Sequence, residues 1–181
     1  MLDEDAVQPI VQTDEQPENL LEQLAAKRRD LADTKTTFIP VPGYDKSPPI
    51  LLIQYRLLDG QEIERLGNKV RREFKQRWDR AINAAVDTII AACTGLFIDK
   101  GDGSAPAPLT INGNAVLGFS SDLAEALGFA DRIDNPDRAR DVVFGLFANN
   151  DVAISQHNMF LNRWMTDTTT NISEEMYGGN F

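Results

Sequence analysis

The sequence predicts a mainly α-helical chain with a small β component, an α+β fold, and three observations predict it. Apolar residues recur at spacings of three and four through Ile63, Leu66, Val70, Phe74, Trp78, Ile82, Val86, Ile89, Ile90 and Cys93, which is one face of a helix sustained over many turns. Two short runs rich in β-branched and aromatic residues, 36–41 and 50–58, flank a Pro- and Gly-containing turn. Beyond residue 119, three short apolar segments each follow a capping residue. The expected architecture is a long central helix, short antiparallel strand pairs and a C-terminal three-helix lobe.

Taken in order, residues 1–16 combine Gln, Asp, Glu and Pro with isolated Val and Ile, and read as a disordered acidic leader. Residues 17–33 predict an amphipathic helix with Leu20, Leu21, Leu24 and Leu31 on one face and Lys27, Arg28 and Arg29 on the other. Thr36, Thr37, Phe38, Ile39 and Val41 predict a strand, and residues 50–58 a second. Pro40 and Pro42 cannot both face a ladder, so the first strand is expected at a sheet edge. Asp59 with Glu62 three residues later is a capping box that opens the long helix, expected over 62–94 with a bend at Gly67.

Residues 95–119 read as a linker with strand content. Residues 99–108 alternate Gly, Asp, Ala and Pro, and Asn112-Gly113-Asn114 is a hairpin turn between 109–111 and 115–117. The domain seam falls at 99–118, separating a unit over 17–98 from a helical lobe over 119–168. In that lobe Ser121 caps a helix ended by Gly128, Asn135-Pro136 starts a second, and Asn150 or Asp151 caps a third. Residues 169–181 are polar with Gly178-Gly179, and read as a flexible tail.

Composition bounds the function. The 181 residues carry 18 Lys+Arg and 28 Asp+Glu, a net charge of −10, so phosphate-tracking nucleic-acid binding is disfavoured for the chain as a whole. Nine acids against three bases put −6 of that charge into residues 1–34, whereas seven bases against four acids make 62–80 a +3 stretch. That stretch, with Arg65, Lys69, Arg71, Arg72, Lys75, Arg77 and Arg80, reads as a solvated helix face, a counterface for the acidic first helix or an anionic-partner surface. A single cysteine excludes an internal disulfide, and with a single histidine no zinc site of the usual Cys/His kind can be assembled. No apolar run approaches the ~20 residues of a membrane span, and the acidic start is unlike a secretory signal.

No catalytic, cofactor or metal residues are expected. Cys93 sits in the apolar stripe as a small hydrophobe, and His157 reads as a packing or cap-region histidine rather than its base. The Asp99 to Ser104 stretch matches neither a calcium loop nor a phosphate loop. Glu62 with Glu64 and Glu174 with Glu175 show no sign of a shared buried site, and the sequon at Asn171 lacks a secretory context. Trp78 and Trp164 are expected in the core.

Read whole, the order of elements over 20–181 resembles the tail assembly chaperones of long-tailed bacteriophages of actinobacterial hosts. The resemblance is carried by the leader helix 20–33, by Phe38-Ile39-Pro40-Val41-Pro42 with the run 50–56, and by Ile89-Ile90-Ala91-Ala92-Cys93-Thr94-Gly95. The run 139–147, then Ile154-Ser155-Gln156-His157-Asn158 and Trp164, complete it. It implies a non-enzymatic role in the host cell cytoplasm: binding the tape measure protein, and the tail tube protein with it, during tube polymerisation, then leaving the finished virion. It also implies a second, longer product of ribosomal frameshifting, which codons for Gly178-Gly179-Asn180-Phe181 would permit. Under this resemblance Leu20, Leu21, Leu24 and Leu31 are the candidate client-binding residues, the other reading being that they pack in the protein's own core. A structural neck or tail-terminator component and a DNA-binding regulator using the basic face are the alternative functions.

Overall fold

The structure is a computed structural model and describes residues 35–177. In chain order these form β1 (Thr36–Pro40), β2 (Ile50–Arg56), α1 (Gly60–Glu73), α2 (Arg77–Ala92), β3 (Cys93–Asp99), β4 (Ala107–Pro108), β5 (Thr110–Ile111), β6 (Asn114–Ala115), α3 (Ser121–Ala126), a 3-10 turn (Ala130–Arg132), α4 (Ala139–Leu146) and α5 (Asp151–Tyr177). This is the α+β architecture that the sequence predicts, with helices packed against a small antiparallel sheet.

The sheet runs β1-β2-β3-β4, with every pairing antiparallel. β1 is an edge strand, where a terminal proline costs no ladder bond. β2 is central, and it buries Leu51, Leu52 and Ile53 in succession and Tyr55 beyond Gln54. A register irregularity falls between Gln54 and Tyr55, where the Thr94 hydroxyl donates to the Gln54 carbonyl at 3.2 Å and to its side chain at 3.0 Å.

Three expectations are corrected. The helix expected over 62–94 is two helices, and the break lies at residues 74–76 rather than at Gly67, which sits inside α1. A straight helix of that length would run to about 50 Å, against about 30 Å for the diameter of a small domain, so folding α1 back over α2 is what buries both stripes. Phe74 takes an extended conformation (φ −118°, ψ 129°), its amide closing α1 on the Val70 carbonyl while its own carbonyl accepts from Arg80 Nε at 2.7 Å. The guanidinium of Arg140 then lies 5.2 Å from the Phe74 ring centroid.

The second correction concerns residues 93–98, the end of the expected helix and the start of the expected linker. They form most of β3, which pairs with β2 and begins with no intervening loop. Leu96 is fully buried there, and its amide and carbonyl bond Val116 and Leu109, stitching the flanks of the small β5-β6 hairpin to the sheet. The hairpin turn itself is as expected, with Asn112 and Gly113 both at positive φ. One hydrophobic cluster unites Ile53, Val86, Leu96, Val116, Leu123, Val142, Ile154 and Leu161, so the core is continuous across the expected seam at 99–118.

Thirdly, α5 continues through Tyr177, where a flexible tail was expected from 169. Thr169, Thr170 and Ser173 each donate to the carbonyl four residues earlier at 2.8–3.0 Å, so their polarity is absorbed by the helix instead of breaking it. The capping box forms as read, with Asp59 accepting from the Glu62 amide at 2.8 Å and Glu62 from the Asp59 amide at 3.0 Å. Asn150 caps α5 by accepting from Val152 and Ala153. Asn135 accepts from the Asp137 amide, but α4 starts only at Ala139, beyond the turn that this bond closes.

Candidate partner-binding surface

The first turns of α5 carry an apolar face that the core does not take up. Val152, Met159 and Phe160 fall on one side of the helix and are each more than half exposed. Beside them lies a groove of about 490 Å³ between α5 and the end of β1, lined by Ile39, Pro40, Pro42, Asp45, Gln156, His157, Phe160 and Trp164. The sequence builds its far wall locally. Val41 is fully buried and its amide donates to the Leu51 carbonyl at 2.9 Å, which anchors the two prolines on either side at the rim. Gly43, at φ +93°, then turns the chain, with its amide donating to Asp45 Oδ1 at 3.0 Å.

His157 lines the groove, and its polar partner, the Tyr55 hydroxyl, is fully buried behind that lining. The Tyr55 hydroxyl and His157 Nε2 lie 2.7 Å apart, and Phe147 meets the imidazole edge-on with centroids 5.0 Å apart. Burial lowers the His157 pKa to about 4, against the opposing effect of the Pro40 carbonyl. Burial likewise pushes the Tyr55 phenol well above its usual range. Neither group carries charge at neutral pH, so the groove offers an apolar client an aromatic and proline surface around a neutral imidazole, with Asp45 as the acidic residue of its lining.

A second cluster is structural. Asp87 of α2 is almost fully buried and accepts two bonds of 2.6 Å from Arg140, with Lys69 Nζ at 3.2 Å. Arg140 also pairs Glu73 at 2.8 Å. Burial would raise the Asp87 pKa, but the hydrogen bonds and charges of Arg140 and Lys69 outweigh it and hold the carboxyl below its usual range. This clamp joins α1, α2 and α4. Sequence reasoning missed it, and the available signal was an aspartate lodged between Val86 and Ile89 in an apolar stripe.

The basic stretch divides. Lys69 is taken by Asp87 and Arg80 by the Phe74 carbonyl, whereas Arg65, Arg71, Arg72, Lys75 and Arg77 face solvent. Trp78, expected in the core, stands beside them 64% exposed, while Trp164 packs against the core at the groove. Cys93 is pushed to about 11 by burial, so its thiol is protonated at neutral pH. Leu20, Leu21, Leu24 and Leu31 lie outside the described residues.

Among the described residues there is no group of three or more His, Cys, Asp or Glu placed to hold a metal ion, and no helix long and apolar enough to cross a membrane. What the fold and surface define is an α+β protein with an apolar, aromatic-walled groove along a long helix. No protein-family model, no curated protein and no solved structure matches the chain.

Proposed function

We propose that this protein is a tail assembly chaperone of a long-tailed bacteriophage: a non-enzymatic protein of the host cytoplasm that holds the tape measure protein while tube subunits polymerise, and is absent from the finished virion. A longer frameshifted form and contact with the tail tube protein belong to the same proposal. The observation that supports it best is the apolar face of α5 continuing into the groove at β1, since a long helical client can lay an apolar stripe along such a surface and be released again. Phe160 is the natural anchor, aromatic and 57% exposed where face and groove meet.

Co-expression pull-down with the tape measure protein encoded in the same tail gene cluster tests the reading. Wild-type chain is expected to be retained, and Phe160→Asp to lose at least about tenfold in retention, corresponding to about 1.4 kcal/mol. Absence of a wild-type complex, or presence of the chain in purified virions at ring stoichiometry, overturns it. The exposed Arg71, Arg72, Lys75 and Arg77 favour one second reading, a DNA-binding regulator. Salt-sensitive binding to duplex DNA would support that alternative.

A further inference from the structure

We infer that the free edge of β1 pairs with the same edge of a second copy of this chain, joining the two sheets antiparallel about a two-fold axis at Thr37. The ladder to β2 fixes which backbone groups are spare. Val41 donates to the Leu51 carbonyl at 2.9 Å, so in the continuous β1-β2 register Val41, Ile39 and Thr37 are the residues that exchange bonds with β2. The far side of β2 agrees, since Leu96, opposite Ile53, turns its amide and carbonyl away from β2 to Val116 and Leu109. The amides and carbonyls of Thr36 and Phe38 therefore point out of the sheet, and among the described residues no strand lies beyond them. The edge is apolar as well, with Phe38 39% exposed and its ring edge-on to Phe97 at 5.0 Å.

A second copy is the occupant because this edge is self-complementary. Run antiparallel about Thr37, each Thr36 faces the partner's Phe38, and every outward amide of the two residues meets an outward carbonyl. Centring the pair on Phe38 instead would set Thr36 against the partner's Pro40, which has no amide and whose carbonyl is already engaged by His157. Charge agrees with the Thr37 register. Lys35 forms no ion pair among the described residues, and it continues the alternation of Thr37 and Ile39. In this register it falls opposite the partner's Ile39, on the face where Ile39 and Asp45 line the groove, so opposite charges meet at both ends of the pair. The pairing needs this chain alone and does not rest on the proposed client.

Sedimentation equilibrium of the full chain, with no client present, tests this. The weight-average mass is expected to rise from 20.1 kDa toward twice that value as concentration increases from about 1 to about 100 μM. Phe38→Pro removes one outward amide and spares the ladder to β2. It should raise the dissociation constant at least about tenfold while far-UV circular dichroism stays unchanged. Thr36→Pro, at an exposed side chain, should act alike and carries the test if Phe38→Pro disturbs the fold. Thr37→Cys should cross-link two copies on mild oxidation, because residues that face each other in a non-hydrogen-bonded pair stand about 4.5 Å apart. Wild type, whose one cysteine is Cys93, should not cross-link. The inference is overturned if the wild type stays at the monomer mass throughout, if neither proline variant weakens the dimer, or if Thr37→Cys fails to cross-link in a population that dimerises.

Discussion

His157 shows how a single residue couples the candidate site to stability. Its pKa falls from 6.5 when unfolded to about 4 in the fold, because the ring is enclosed by Tyr55, Phe147 and the β1 end. A depressed folded pKa means the unfolded chain binds the proton first. The associated stability is therefore complete above pH 6.5 and lost as pH falls from 6.5 to 4, amounting to about 3 kcal/mol at the low end. Urea midpoints measured from pH 7.5 to 4.5 should fall across that window, and His157→Gln should flatten the slope. Asp87 acts lower, since a carboxyl held below its usual range gives up stability only under pH 4. Neither role was legible from the residue types, because a histidine or an aspartate in an apolar stripe has no visible partner until distant elements meet.

At the scale of elements, close approach decides what helix propensity cannot. A Cβ added at Gly145 in α4 would stand 2.5 Å from Ile133 Cγ2 and 2.7 Å from the Phe129 ring, both packed in the lobe core. In α1, a Cβ at Gly67 would meet nothing nearer than Arg71 Nη2 at 3.7 Å. Ala in place of Gly favours a helix interior by about 1 kcal/mol, whereas overpacking costs about 1–3 kcal/mol. Gly67→Ala is expected to stabilise by about 1 kcal/mol and Gly145→Ala to destabilise by about as much, read as opposite shifts of the urea midpoint at constant slope. The same logic explains the break at 74–76. Periodicity correctly marked residues 62–73 and 77–92 as helical, but the stripe runs through Phe74 without interruption, so nothing local announced the turn between them. The strand β3 was hidden likewise, since Ile89 to Cys93 carries a helical rhythm into residues that only pairing with β2 makes extended.

Across the whole molecule, a core continuous from β2 through α2 to α5 leaves no surface along which the two expected units could part. Thermal unfolding is expected to be one cooperative transition, with near-UV and far-UV circular dichroism superimposing. Two separated transitions would restore a seam at 99–118. Local pattern and composition were enough for the α+β class, the edge position of β1, the capping box at Asp59, the Asn112-Gly113 turn and the absence of an internal disulfide. Each of these depends on neighbours within a few residues, or on a count. Long-range packing sets where the long helix breaks, makes β3 a strand of the main sheet, leaves Trp78 exposed, and brings Tyr55 to His157 and Asp87 to Arg140. Those pairs are 102 and 53 residues apart in the chain, and partners so distant leave no imprint on local pattern.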